Sequence, residues 1–146
     1  VVGVDRRILD TLIGEGFIPV VSTIGADTSG QAFNINADSV AIAVAEALDA
    51  EKLIYLTDVP GVLTDTDDPA SLVSRLSVAR ARLLMDEGVI AGGMIPKVEA
   101  TLSAVEGGVA SAHILDGRVP HVVLLELLTD AGVGTMVTRT TDGSAP

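Results

Sequence analysis

Two glycines, Gly92 and Gly93, stand shortly before Lys97 at the predicted start of a helix. Glycine lets the backbone approach an anion closely, and a helix N-terminus offers unpaired N–H groups and a positive dipole end. A lysine one turn into the helix adds a mobile full charge. The pattern outlines a phosphate site, although a flexible helix cap with a surface lysine is the commoner meaning of two glycines alone. The GxxxxGK[ST] spacing of a P-loop is absent.

A second polar cluster is the run Asn-Ile-Asn-Ala-Asp at residues 34–38, placed before another predicted helix. Helix capping explains such a run, because Asn and Asp side chains accept hydrogen bonds from the first N–H groups of a helix. Alternate side chains of an extended stretch also face the same way, so Asn34, Asn36 and Asp38 could present two amides and a carboxylate to one ligand. The two interpretations are compatible.

A third cluster, the turn at residues 57–64, follows a predicted strand at residues 53–56. In open α/β sheets, ligands bind in the crevice outside the carboxyl ends of the strands. The turn is therefore a candidate ligand site. A polar, acidic loop at residues 64–71, which includes Asp68-Pro69, comes next.

Short apolar runs alternate with longer stretches of helical period, which predicts an α/β domain with a parallel sheet covered by helices. Residues 121–128 fit strand or helix by period, and their length and leucine content favour helix. We expect one domain at residues 1–139 and a disordered tail at 140–146. The predicted helices are 5–16, 37–50, 78–87, 95–105 and 121–128, and the predicted strands are 17–24, 53–56, 112–115 and 135–138.

Composition excludes several classes of protein. The formal net charge of -11 argues against nucleic-acid binding, and the absence of cysteine excludes disulfides and thiolate metal sites. No apolar run approaches the roughly 20 residues that a membrane span needs. We therefore expect a cytoplasmic protein without membrane or nucleic-acid partners. The first residue is Val1, which suggests a fragment of a longer chain.

The three motifs, in their order along the chain, resemble the amino acid kinase family and, within it, the acetylglutamate kinases. The resemblance implies a three-layer αβα sandwich with a mainly parallel sheet, of which this chain would be the C-terminal, ATP-binding domain. It also implies an enzyme that uses ATP to phosphorylate the γ-carboxylate of N-acetyl-L-glutamate in arginine biosynthesis.

The resemblance assigns roles to single residues. Lys97 would stabilise the transferring phosphoryl group, Asp38 would orient the catalytic lysines, and Asn34 would bind the substrate's α-carboxylate. Mg²⁺ would bridge the β- and γ-phosphates with few direct protein ligands. Contacts to adenine would come from backbone and aliphatic groups of Asp58, Val59, Pro60, Gly61, Val62 and Leu63 on one side and of Val89, Ile90 and Ala91 on the other.

Residues 121–136 resemble a segment associated with arginine feedback inhibition in hexameric family members. Glu126 would face the arginine guanidinium, and His121 and Gly132 would help to shape the site. The alternative is a packing helix with Glu126 in solvent. His113 is interpreted as a strand residue without a role.

The family's N-terminal half would supply a second catalytic lysine, a Gly-Gly pair and a substrate-binding arginine, none of which has a place here. We therefore expect the 146-residue chain to fold with little or no kinase activity, and the full-length protein to be a homo-oligomer. Two alternatives stay open: a glutamate 5-kinase-like enzyme, and a non-catalytic module that binds nucleotide or arginine.

Overall fold

A four-stranded mixed sheet with the strand order β3-β5-β6-β4 organises the chain, and a separate β1-β2 hairpin lies outside it. The computed structural model describes residues 1–129 and 132–140. The strands are β1 (Ile24–Ala26), β2 (Ala32–Asn34), β3 (Lys52–Thr57), β4 (Arg75–Ser77), β5 (Ser111–Asp116) and β6 (Thr135–Thr138). The helices are α1 (Arg7–Gly14), α2 (Ala37–Ala47), α3 (Val78–Asp86), α4 (Met94–Glu106) and α5 (Val122–Leu128).

Strand β5 is the centre of the sheet. It pairs in parallel with β3 and antiparallel with β6, and β6 pairs in parallel with β4. Five of its six residues, from Ser111 to Leu115, are buried. A strand that is buried on both faces reads as a nearly continuous apolar run, which explains why its short sequence predicts a strand correctly.

Side-chain alternation along β5 defines three layers. Ala112 and Ile114 belong to the main core, together with residues of α2, α3 and α4 such as Leu84 and Leu102. His113 points to the other face, where it bonds to Glu126 of α5. Successive residues of a strand face opposite ways, so α5 covers the face away from the other three helices. The α/β sandwich with a mainly parallel sheet is confirmed.

The predicted buried strand at residues 17–24 is wrong. Residues 17–22 have no regular secondary structure, and the Ile18 and Val20 side chains are 91% and 96% exposed. Only Ile24 of this run enters a strand, the β1 strand of the hairpin. Apolar composition favours a strand only where neighbouring strands supply hydrogen bonds and neighbouring layers supply contacts. Among the described residues, residues 17–22 pair with no strand, and most of their side chains are exposed.

The other predicted helices and strands are present. The strand at 135–138 matches β6 at both ends, and the others have one or both ends shifted. The predicted helix at 37–50 ends at Ala47, and that at 5–16 shortens to eight residues. The short strands β2 and β4 were not predicted, because three residues carry too little pattern. The predicted tail spans residues 140–146. The structure describes only Thr140 of it, and residues 141–146 lie outside the described residues. Among the described residues, no helix has the length and apolar character that a membrane span requires.

Candidate functional site

A cavity of about 580 Å³ opens where β3 ends, between the turn that follows this strand and the segment that leads into α4. Two stretches of chain that are distant in sequence form its walls, and the lining consists largely of backbone and aliphatic groups. All nine residues expected around adenine belong to this lining. The lining residues are Asp58, Val59, Pro60, Gly61, Val62, Leu63, Thr66, Val89, Ile90, Ala91, Gly93, Met94 and Lys97.

The turn after β3 is held by local hydrogen bonds and by a glycine. The Thr57 hydroxyl accepts the Val59 N–H at 3.2 Å and donates to the Val59 carbonyl at 3.1 Å. Gly61 has φ of 144°, a conformation that side-chain-bearing residues rarely adopt. A Cβ at Gly61 would also lie 2.5 Å from the Thr135 hydroxyl oxygen. Glycine is therefore required there.

Lys97 lies in the first part of α4, whose N-cap is Gly93. Its ammonium donates a hydrogen bond to an Asp58 carboxylate oxygen at 2.8 Å, across the mouth of the cavity. This hydrogen bond lowers the pKa of Asp58 below its usual range. The Asp58 side chain is 79% exposed, so the pair is weak and an incoming anion can compete with the carboxylate for Lys97.

A second cavity, of about 230 Å³, shares Asp58 and Lys97 with the first. Asp38, from the first turn of α2, and Tyr55, from β3, also line it. Burial, with a smaller contribution from the charge of Asp38, raises the pKa of the Tyr55 hydroxyl. The resemblance pairs Asp38 with the catalytic lysines. In the structure, the hydrogen-bond partner of Lys97 is Asp58, and Asp38 shares its cavity.

The run at residues 34–38 divides between two structural roles. The Asn36 side chain caps α2 by accepting the Ser39 N–H at 3.1 Å, so the capping interpretation is confirmed for this residue. Asn34 ends β2 and is exposed, with the Thr23 hydroxyl 3.5 Å from its side-chain oxygen. It does not belong to the lining of either cavity described above.

A third cavity, of about 130 Å³, lies on the face of the sheet that α5 covers. A chain of hydrogen bonds joins Glu126, His113 and Ser111 beside this cavity. His113 Nδ1 is 2.7 Å from Glu126 Oε1, and His113 Nε2 is 3.0 Å from the Ser111 hydroxyl. An ionised carboxylate only accepts, so Nδ1 carries the proton in this pair. The cavity lining is Lys52, Ser74, Arg75, His113, Glu126, Leu127, Thr129, Gly132 and Met136.

Glu126 is buried, with its side chain 6% exposed, which contradicts the alternative that places it in solvent. Burial alone would raise its pKa, but hydrogen bonds from the Val133 N–H and from His113 outweigh burial and lower the pKa of Glu126 below its usual range. The Val133 N–H donates to Glu126 Oε2 at 2.8 Å. The carboxylate is therefore kept ionised inside the protein.

The two histidines lie in different surroundings. His113, which we expected to have no role, lines the third cavity and bonds through both ring nitrogens. His121 is the N-cap residue of α5, with φ of 60°, and does not belong to the lining of that cavity. A lone histidine in a buried apolar strand was the available signal, because a buried ring nitrogen needs a partner. Gly132 lines the cavity, whereas Asp130 and Ala131 lie outside the described residues.

Across residues 1–129 and 132–140, no three His, Asp or Glu side chains cluster closely enough to hold an ion.

Comparisons with known proteins agree on one family. A sequence model of the amino acid kinase family matches residues 1–116. Acetylglutamate kinase from Moorella thermoacetica is 58% identical over 134 residues, and that from Thermosynechococcus vestitus is 54% identical over 135 residues. Each match covers 92% of this chain but only 45% and 46% of the relative. The chain spans about half the length of the curated relatives that it matches.

Solved structures give the same fold. N-acetylglutamate synthase from Neisseria gonorrhoeae, in complex with coenzyme A and L-arginine, superimposes with a TM-score of 0.82 at 31% identity, over 93% of this chain and 31% of that one. Carbamate kinase from Giardia lamblia bound to AMP-PNP, at 22% identity and a TM-score of 0.64, covers 92% of this chain and 44% of its own and shares the fold.

Proposed function

Because the chain belongs to the amino acid kinase family, we propose that it is the nucleotide-binding half of a kinase. The kinase would use ATP to phosphorylate the γ-carboxylate of N-acetyl-L-glutamate, a step of arginine biosynthesis. The names and identities of its relatives support this acceptor. The observation that carries the proposal is the cavity of about 580 Å³, which the turn after β3, Gly93 before α4 and Lys97 line together.

The cavity suits a nucleotide in shape and chemistry. The aliphatic wall of Val59, Val62, Leu63 and Ile90 can pack against a base, and backbone groups beside it can bond to polar edges. The first N–H groups of α4 are already bonded, from Met94 to the Ala91 carbonyl and from Ile95 to the Gly92 carbonyl. At this end of the cavity, phosphate oxygens would therefore rely on Lys97 and on the close backbone approach that Gly93 allows. The base and the phosphates would therefore lie at opposite ends of one cavity.

Lys97 supplies the positive charge that phosphoryl transfer needs. Transfer of a phosphoryl group depends mainly on positioning and on neutralisation of charge on its oxygens. We infer that the phosphates displace Asp58 from Lys97, so that the ammonium turns from a carboxylate to the γ-phosphoryl oxygens. The acceptor carboxylate attacks phosphorus, the bond to the leaving ADP oxygen breaks, and an acyl phosphate forms. Mg²⁺ would enter with the phosphates and neutralise part of their charge.

Asp38 and Asn34 would act on the acceptor side. Asp38 lies in the cavity that continues from Lys97, where it can orient an ammonium group. Asn34 stands at the end of the exposed β1-β2 hairpin, so its amide is free to bond to a substrate carboxylate.

Calorimetry with MgATP tests the nucleotide site. Lys97→Met should weaken binding at least about tenfold, since it removes a charge-assisted contact to phosphate. Lys52→Met is the matched control, because Lys52 is the other lysine of the chain and lies in the third cavity. Equal loss of affinity in both variants would contradict the assignment of Lys97.

The acceptor is tested in a full-length protein that contains this chain. A coupled assay of ADP release should show turnover with N-acetyl-L-glutamate and little with L-glutamate, whereas the reverse would favour a glutamate 5-kinase. The 146-residue chain alone should bind MgATP with little or no turnover. Turnover equal to that of the full-length protein would contradict its role as one half of the site.

A regulatory site for L-arginine is a second proposal, and the buried Glu126 carboxylate favours it. Glu126 would accept the guanidinium, and Lys52 and Arg75 in the same cavity would attract the ligand's carboxylate. The structural relative in complex with L-arginine supports this choice of ligand. Calorimetry with arginine should give binding to the wild type and none to Glu126→Gln. Arginine binding without any MgATP binding would favour the non-catalytic module.

A further inference from the structure

The hydroxyl of Thr135, at the start of β6, connects this strand to the turn that lines the large cavity. Its oxygen accepts the N–H of Val62 at 2.8 Å, and its proton goes to the carbonyl of Val73 at 2.7 Å. Thr135 and Val62 are both fully buried. One side chain therefore satisfies a buried backbone donor and a backbone acceptor that are distant from it in sequence.

The groups around this hydroxyl leave the turn little room to move. The Val73 N–H donates to the Val62 carbonyl at 2.8 Å, so Val62 and Val73 are joined to each other as well as to Thr135. Gly61 passes so close that a Cβ on it would lie 2.5 Å from the hydroxyl oxygen and 3.1 Å from the Thr135 nitrogen. Gly61, Val62 and Leu63 all line the cavity. The Thr135 hydroxyl thus restrains residues 61–63 without lining the cavity itself.

We propose that Thr135 is a positioning residue for the nucleotide, an inference that rests on the proposed nucleotide site. It acts through the Val62 N–H and keeps residues 61–63 in the shape against which the nucleotide packs. Without the hydroxyl, this buried N–H loses its acceptor, and the turn must shift to find another partner. Thr135 does not line the cavity itself, so its removal weakens nucleotide binding without removing any group that contacts the phosphates.

Amide hydrogen exchange on the nucleotide-free chain tests the bond itself. The Val62 amide should be protected in the wild type and in Thr135→Ser, which keeps the hydroxyl. In Thr135→Val, it should exchange about tenfold faster or more relative to the Ile114 amide in β5, which reports global opening. Wild-type exchange at Val62 as fast as in the exposed loop at residues 65–68, or full protection in Thr135→Val, would overturn the proposal.

Thr101→Val is the matched control, because Thr101 is also fully buried and its hydroxyl bonds within α4, to the Val98 carbonyl at 2.7 Å. This variant should leave the exchange rate of Val62 relative to Ile114 unchanged. If Thr135→Val does not fold, Thr135→Ala lacks the same hydroxyl with a smaller side chain and takes its place.

Calorimetry with MgATP then tests the consequence for binding. Thr135→Val should raise Kd about tenfold, whereas Thr135→Ser and Thr101→Val should stay within about threefold of the wild type. An unchanged Kd in Thr135→Val, in a wild type that binds MgATP, overturns the positioning role alone. A wild type that does not bind MgATP overturns the proposed function, and the positioning role with it.

Discussion

The Lys97–Asp58 and His113–Glu126 pairs have nearly equal separations, 2.8 and 2.7 Å, but opposite surroundings. The first pair spans the mouth of an open cavity, and its carboxylate is 79% exposed. The second lies between β5 and α5, and its side chains are 4% and 6% exposed. Water therefore competes for the first pair much more than for the second.

The difference shows what each pair can do. An exposed pair contributes little to stability and exchanges partners readily, which suits the proposed turn of Lys97 toward a phosphate. A buried carboxylate with two fixed donors costs much to disrupt, which suits a group that holds α5 and the segment before β6 in place. We therefore expect substitutions at the two pairs to separate MgATP binding from stability.

The largest expected loss of stability is in Glu126→Gln. The change removes a buried carboxylate that accepts bonds from His113 and from the Val133 N–H, and we expect the free energy of unfolding to fall by about 3 kcal/mol. Urea unfolding measures it. Glu106→Gln is the control, since Glu106 pairs with Arg82 at 2.7 Å on the surface and should cost under about 1 kcal/mol. Equal costs would remove the distinction between the two pairs.

A loss of about 2 kcal/mol is expected for Gly61→Ala, because the backbone has φ of 144° and the new methyl would overlap the Thr135 hydroxyl. Gly88→Ala is its control. Gly88 also has positive φ, 74°, but nothing lies within 4 Å of its added Cβ, so about 1 kcal/mol is expected. If thermal or urea unfolding finds Gly88→Ala the more costly, the close packing around Gly61 is wrong.

A smaller effect should appear in the acid dependence of stability. The pKa of Glu126 is lower in the folded chain than its ordinary value of 4.5, so the unfolded chain takes up this proton first as the pH falls. The stability due to this difference is complete above about pH 4.5 and is lost as the pH falls through the folded value. Urea midpoints should therefore decline less steeply with acid in Glu126→Gln than in the wild type. Parallel declines would mean that the carboxylate titrates normally.

The smallest effect on stability is expected in Lys97→Met, within about 0.5 kcal/mol. The same change should raise the pKa of Asp58 toward its ordinary range, because the hydrogen bond from Lys97 is the main cause of its lowering. An NMR titration of the Asp58 carboxyl measures this, and Lys52→Met should leave it unchanged. A large loss of stability in Lys97→Met would show that the pair is structural after all.

The sequence predicted those features of the fold and of the site that depend on short stretches of chain. Strand β5, helix α4 and the glycines before Lys97 carry their signals within a few residues, so they could be recognised. The resemblance of the motifs selected the nine residues around the large cavity, and the structure brings them together. The roles of these residues remain predictions.

Long-range side-chain contacts could not be predicted. The bond from Val62 to Thr135 joins positions 73 residues apart, and that from Lys97 to Asp58 joins positions 39 apart. No short motif encodes such distances. The run at 17–24 failed for the opposite reason, because its local pattern is strong but a strand also requires a neighbouring strand.

The most direct test of the account is the NMR footprint of MgATP on this chain. The account predicts that amide shifts concentrate at residues 58–63 and 89–93, on both walls of the large cavity, and leave His113 and Glu126 nearly unchanged. Shifts centred on His113 and Glu126, or confined to one wall, would contradict the assignment of that cavity to the nucleotide.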